Sequence, residues 1–216
     1  MSTATQPRTL RKRERTRGEL VAAAERLVAA RGLDALSIDE ITEEADVAKG
    51  TFYTHFEDKD DLAAEIARSI RLELEHKITA TNEGVTDAAI RMANGLSSLC
   101  TFAITQPVRA RALLRLIPGG VDPDTPINAG IRGDVAMGAK SKRFTVASVT
   151  AATVATLGIA MSAGMRLSDQ TRRAPEPFAF AAEVIATALT ALGLKQAEAL
   201  RLAKTAMDSR KKELAP

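Results

Sequence analysis

Residues 49 to 55 combine hydrogen-bond donors with small side chains in a spacing that suits contact with DNA. On a helix, Phe52 and Phe56 lie one turn apart and share one face, so the residues between them share the other. Lys49 could donate to guanine O6 or N7, and the methyl group of Thr51 could touch a thymine methyl. Tyr53, His55 and the nearby Lys59 suit phosphate oxygens, which fix register without reading sequence. The pattern predicts a short helix whose N-terminal residues meet base edges in the major groove.

A strong helix-start signal precedes this stretch. Ser37 and Glu40 have the spacing of a capping box, in which each residue's side chain bonds the other's backbone N–H. Asp46 can adopt the left-handed conformation of a tight turn, which few residues other than glycine tolerate. Two brief helices, over about 37–45 and 48–55, are thus predicted with a turn between them, as in a helix-turn-helix. The free N–H groups at Ser37 predict a further phosphate contact.

The segment from Leu36 to Leu62 resembles the DNA-binding region of TetR-type (tetracycline-repressor-like) regulators. Its Lys49-Gly-Thr-Phe-Tyr-Thr-His-Phe56 core, followed by Lys59, is highly specific for that family, and the resemblance extends over about residues 11–65. It implies DNA contacts at these positions: Ser37, Lys49, Gly50, Thr51, Tyr53, Thr54, His55 and Lys59. Two positions depart from the family pattern, because Asp46 stands where glycine is usual and Ala48 stands where serine is common.

Charge is distributed unevenly along the chain. Residues 1–17 hold six basic residues and one acid, whereas residues 18–65 hold four basic residues and thirteen acids. A basic arm ahead of an acidic body indicates local contact with a polyanion. A solvated, disordered tail is the alternative explanation of such an arm.

Composition predicts an all-α fold, since 40 of the 216 residues are alanine and aromatic residues make up only 3%. We expect a DNA-binding domain over 1–65 and a helical effector-binding and dimerisation domain over 66–216. The stretch from Phe144 to Met165 has no charged residue and is long enough to span a membrane, but a helix at a subunit interface is the preferred interpretation. Further helices are predicted at about 11–30, 58–81, 86–105, 107–117, 126–141, 144–167, 178–192 and 195–210.

These observations favour a cytoplasmic homodimer that regulates transcription, most simply a repressor of a pseudo-palindromic operator in double-stranded DNA. The resemblance further implies a small-molecule effector, bound among the helices between about 86 and 165. Candidates for the pocket, which are equally ordinary core residues, are Phe102, Leu113, Leu116, Met137, Phe144 and Met161. Nothing in the sequence predicts an enzyme, a cofactor or a metal site, because it lacks catalytic motifs and metal-ligand spacings. The alternative is a helical interaction module that binds no DNA.

Overall fold

A computed structural model describes residues 8–117, 122–125, 128–172 and 175–215, and these ranges contain ten helices and no strand. The all-α fold predicted from composition is therefore confirmed. The helices are α1 (Arg8–Arg31), α2 (Ile38–Glu44), α3 (Lys49–Phe52), α4 (Lys59–Thr81), α5 (Ala88–Thr105), α6 (Pro107–Leu116), α7 (Ala129–Lys140), α8 (Val149–Ser168), α9 (Pro177–Ala191) and α10 (Gln196–Glu213).

The capping box at the start of α2 is formed as predicted. Ser37 Oγ accepts from the Glu40 N–H at 3.2 Å, and the Ser37 N–H donates to Glu40 Oε2 at 2.8 Å. These bonds from Ser37, together with one from Arg31, lower the pKa of the Glu40 carboxyl to about 2. Asp46, with φ at 53°, takes the left-handed conformation predicted for the turn between α2 and α3. Local signals therefore determine where α2 begins and how the chain leaves it.

Two helix boundaries differ from the predictions. The helix predicted to reach about His55 ends at Phe52, because the Thr54 and His55 N–H groups donate to the carbonyls three residues earlier and tighten the backbone. The helix predicted to begin at 144 begins at Val149 instead, after Ser148. Phe144 packs over Gly138, where a Cβ atom would lie only 2.1 Å from the ring, so Phe144 is held against the last turn of α7 instead of starting α8. The connection between the helices predicted at 107–117 and 126–141 lies partly outside the described residues.

α5 is the central helix of the larger, C-terminal part of the fold. It packs against every helix from α4 to α10, and its buried side chains include Met92, Leu96 and Phe102. α4 runs without interruption through the predicted domain boundary at residue 65, so the two predicted domains share one continuous helix. Within the described residues, no helix has the length and apolar character needed to cross a membrane, and this includes α8.

Candidate nucleic-acid interface and internal cavity

α3 and the turn after it bring the residues predicted at 49–55 onto one short surface. Phe52 and Phe56 are buried beneath it, and the Tyr53 ring stands edge-on to Phe52 with ring centroids 5.5 Å apart. Tyr53 is 55% exposed although it is an aromatic residue. Two phenyl rings therefore anchor the segment in the core while the phenol remains accessible.

Lys49 is paired with a residue that the sequence did not single out. Its Nζ lies 2.7 Å from Asp39 Oδ1 of α2, and both side chains are exposed. A hydrogen bond and the charge of Asp39 raise the pKa of Lys49, so the ammonium keeps its proton at neutral pH. Contact with a guanine would have to replace this ion pair.

Packing within the folded chain does not require a glycine at position 50. A Cβ atom there would meet nothing within 4 Å, and its φ is not in the left-handed region. Glycine in a helix costs about 0.5–1 kcal/mol relative to alanine. A glycine without a use inside the molecule is consistent with close approach of another molecule to its backbone.

Thr54 and His55 are linked to α1. The Thr54 carbonyl accepts from Arg13 Nη2 at 3.3 Å, and the Thr54 hydroxyl donates to the Thr51 carbonyl at 2.7 Å. The Nδ1 atom of His55 is buried and has no hydrogen-bond partner among the described residues. Burial, together with the charges of Arg13 and Arg17, lowers the pKa of His55. The surroundings of His55 in the free protein therefore favour its neutral form, in which one ring nitrogen can donate a hydrogen bond.

Ser37 and Lys59 are committed to contacts within the chain. The Ser37 hydroxyl takes part in the capping box, beside the acidic side chains of Asp39 and Glu40. Lys59 is half-buried, and its Nζ donates to the carbonyls of Leu33 and Leu36 at 3.4 and 3.2 Å. Lys59 thus stabilises the loop between α1 and α2, and the structure does not place it with the residues at 49–55.

A cavity of about 680 Å³ lies between α4, α5, α6, α7 and α8. This volume is within the range of small-molecule sites. Phe102, Leu113 and Met161 line it, whereas the other three pocket candidates, Leu116, Met137 and Phe144, are not among its described lining residues. The predicted region also omitted α4, which contributes lining residues from Arg71 to Ala80 and is followed by Asn82 and Glu83.

Comparison with known proteins identifies the N-terminal segment. Residues 20–66, which contain α2, α3 and most of the interface, match the sequence model of a family described as bacterial regulatory proteins, tetR family. A tetR-family regulatory protein from Rhodococcus RHA1 has the same fold, with a TM-score of 0.67 at 20% identity over 83% of this chain and 98% of that one. The tetR-type resemblance of the N-terminal segment is therefore confirmed over residues 20–66. This match and the shared fold support a DNA-binding transcriptional regulator.

Solved structures resemble this chain over nearly its whole length. RolR, solved in complex with resorcinol, shares 26% identity and a TM-score of 0.56, over 90% of this chain and 95% of that one. A gamma-butyrolactone receptor described as ArpA-like gives a TM-score of 0.69 at 18% identity, over 92% of this chain and 98% of that one. These two proteins therefore share the fold of the C-terminal helices with this chain, as well as the fold of α1–α3.

Sequence reasoning missed the residues that hold the interface against α1. Arg17 Nη1 lies 3.0 Å from Glu65 Oε1, and its guanidinium lies 4.8 Å from the centre of the Phe56 ring. Asp39, the partner of Lys49, was also missed. No local signal could have found these pairs, because their partners lie in different helices.

Proposed function

We propose that this protein is a homodimeric repressor that binds a pseudo-palindromic operator through α2 and α3 and is released by a small molecule. The observation that carries the proposal is the exposed polar surface of α3 above the buried Phe52 and Phe56. A helix held in this way fits the major groove with its N-terminal residues at the base edges.

The proposed contacts divide into two groups. Lys49 and Thr51 meet base edges, Gly50 allows the backbone to approach, and Tyr53 with His55 donates to phosphates. Ser37, Thr54 and Lys59 complete the proposed contact set, although their side chains also bond within the chain. For Lys59, a phosphate contact requires its ammonium to leave the carbonyls of Leu33 and Leu36.

Dimerisation would place two α3 segments on one face of the duplex. A single short helix reads few base pairs, whereas a two-fold dimer meets half-sites about 34–36 Å apart. α8 and α9 support this proposal, because from Val149 to Met165 α8 carries no charge and α9 carries only Glu183. Met165 of α8 is 62% exposed in the single chain.

Release would act through the cavity. In the dimer, the distance between the two α3 segments must match the distance between the operator half-sites. An effector that binds more tightly to a conformation in which these distances do not match shifts the population away from the DNA-bound form. The ligands named for RolR and for the gamma-butyrolactone receptor support a small-molecule effector here. α4 supports the coupling, because it lines the cavity and also continues into the part of the chain that contains α1–α3.

The proposal is tested by DNA footprinting followed by a matched pair of variants. Footprinting on the DNA that flanks the gene defines the operator, and fluorescence anisotropy then measures affinity. Gly50→Ala should weaken operator binding at least about tenfold, because its methyl group holds the helix away from the DNA, while helix propensity leaves stability equal or higher. Gly133→Ala is the control, since Gly133 also has open space in a helix.

Two outcomes would contradict the proposal. If no flanking DNA is protected and purified protein binds duplexes only weakly and without preference, the alternative of a helical interaction module is favoured. If Gly50→Ala and Gly133→Ala bind the operator equally well, the backbone at Gly50 does not approach DNA.

A further inference from the structure

We infer that the effector is an uncharged amphiphile, with a hydroxyl group held between Arg91 and Asp134 and an apolar body directed towards Phe102. This inference rests on the proposed ligand-released function of the cavity. It specifies the chemical class of ligand that this cavity binds.

One end of the cavity carries a polar pair with unused hydrogen-bonding groups. Arg91 Nε donates to Asp134 Oδ1 at 2.7 Å, and Arg91 Nη1 donates to the carbonyls of Asn82 and Val85, both at 3.3 Å. Within the described part of the chain, these bonds use neither Arg91 Nη2 nor Asp134 Oδ2. Both residues line the cavity, so an ion-paired arginine and aspartate offer it one further donor and one further acceptor.

A hydroxyl group matches this pair because its single oxygen both donates and accepts. It would donate to Asp134 Oδ2 and accept from Arg91 Nη2. Asn82 is unsuited to the same role, since its amide already bonds Asn94 and the Arg91 carbonyl. The polar end is thus complementary to an alcohol or a phenol.

The charges of the wall disfavour an ionised ligand. Two arginines line the described wall, and each is paired with a carboxylate, Arg91 with Asp134 and Arg71 with Glu75. A buried carboxylate ligand would find no unpaired arginine, and desolvating a charge without a partner is costly. An ammonium ligand at the polar end would meet Arg91 beside Asp134 and would be repelled by it. Glu83, a lining carboxylate with no ion pair among the described residues, is exposed, so water screens its attraction for a cation.

The remainder of the cavity is apolar and long. Along α5 the lining runs from Arg91 to Phe102, roughly 16 Å at 1.5 Å per residue. Leu99, Leu113 and Met161 are among the side chains along this length. An extended alkyl or aryl body can lie along α5 while the hydroxyl group stays at the polar end.

Three probes with equal tails test the selectivity of the full-length protein. Decan-1-ol, decanoate and decylammonium are titrated by calorimetry at pH 7, below the concentrations at which they aggregate. Decan-1-ol should bind once per protomer, at least about tenfold more tightly than either charged probe. Charged probes that bind as tightly as the alcohol would overturn the inference.

A charge change at the polar end gives a second, sharper test. Asp134→Asn leaves Arg91 as an unpaired cation, so decanoate should become the preferred probe through a charge-assisted hydrogen bond. Asp124→Asn is the control, because Asp124 pairs with the exposed Arg132 and does not line the cavity. An Asp134→Asn protein that is folded by circular dichroism and still prefers decan-1-ol overturns the proposed position of the hydroxyl group.

A third variant covers the case in which Asp134→Asn does not fold. Ala160→Phe adds volume in the cavity without removing a core side chain, and it should weaken decan-1-ol at least about tenfold. Unchanged binding would place the alcohol elsewhere and overturn the inference. Operator binding is measured separately by anisotropy, so a protein that binds DNA but takes a charged effector fails this inference without failing the proposed function.

Discussion

Before Lys49 can donate to a base edge, its ammonium group has to leave Asp39, since the two groups are 2.7 Å apart. Both side chains are exposed, so the exchange costs little, because water screens an exposed ion pair. Asp39 also places a negative charge near the proposed DNA surface. The pair therefore lowers non-specific attraction to phosphate while leaving Lys49 available to a guanine that offers two acceptors.

Substitutions at Lys49 and Tyr53 should separate recognition of the base sequence from positioning on the phosphate backbone. Lys49→Ala should change the preferred operator sequence, because one base contact is worth about 1–3 kcal/mol of discrimination. Tyr53→Phe should weaken binding to all sequences about equally, by about 1 kcal/mol, since it loses one hydrogen bond. Selection from randomised half-sites measures both effects. Identical sequence preferences for Lys49→Ala and the wild type would remove Lys49 from the reading role.

For single residues, the sequence predicted local backbone and capping contacts better than the directions of side chains. The capping pair Ser37 and Glu40 and the left-handed Asp46 were predicted because each depends on neighbours within three residues. The bonds of Lys59 to the loop carbonyls and the buried Nδ1 of His55 could not be predicted, because both depend on how α1 packs. Periodicity shows which side chains lie on the same face of a helix, but it does not show which partner each side chain contacts.

Among the elements, α6 stands between the cavity and α1. Leu113 and Leu114 of α6 line the cavity, whereas Ala112 is fully buried in a cluster with Val28 and Leu36. Arg109 of α6 reaches Glu25 of α1 at 3.3 Å and Glu73 of α4 at 2.8 Å. A displacement of α6 by a ligand would therefore act on α1 and α4 together.

Arg109→Gln should destabilise the protein in a pH-dependent way. Burial already raises the pKa of Glu25, and Arg109 opposes this, so the variant raises that pKa further. Arg109 also lowers the pKa of Glu73. Both effects make the ionised carboxylates less stable in the folded variant, by about 1–3 kcal/mol at neutral pH. The loss should shrink as pH falls towards 4.5, where the carboxylates gain protons.

Thermal unfolding between pH 4.5 and 7.5 measures this difference, with Arg132→Gln as the control. Arg132 pairs with Asp124 on the surface, so its loss should change stability by less than about 0.5 kcal/mol at any pH. A deficit in Arg109→Gln that does not depend on pH would show that packing of the long side chain, rather than its charge, links α6 to α1.

The ends of the helices show where local signals stop being sufficient. α4 and α9 begin and end within about one residue of the predictions, because Asp58 caps the first and Gly193 terminates the second. α8 begins five residues later than predicted, since Phe144 packs on Gly138 of α7, and that contact leaves no trace in the periodicity. The cavity was predicted only in part: Phe102, Leu113 and Met161 line it as expected, but the contribution of α4 was missed because the lining comes from five helices.

For the whole molecule, the basic N-terminal segment should increase the salt dependence of DNA binding. Arg11 and Lys12 are exposed on the first turns of α1. Each phosphate contact contributes about −0.9 to the slope of log K against log salt, so the double variant Arg11→Gln, Lys12→Gln should be shallower by up to about 1.8. The preferred operator should not change. Anisotropy titrations at several salt concentrations measure the slope.

A matched double variant on α10 controls for net charge. Arg201→Gln with Lys204→Gln removes the same charge from exposed positions on a helix that packs on α5 and α9. Its slope should equal that of the wild type. If both double variants lower the slope equally, the effect comes from total charge, and the N-terminal segment makes no local contact with phosphate.

The dimer proposed on α8 and α9 is tested by Gly158→Arg. A Cβ atom at Gly158 meets nothing within 4 Å, so the single chain has room for the arginine. At the centre of an uncharged helix–helix interface, however, the guanidinium would be desolvated without a partner, so the dimer should dissociate and operator binding should be lost. Light scattering and circular dichroism are measured together. Gly133→Arg has equally open space on α7 and should remain dimeric. A folded Gly158→Arg protein that is still a dimer would place the interface elsewhere.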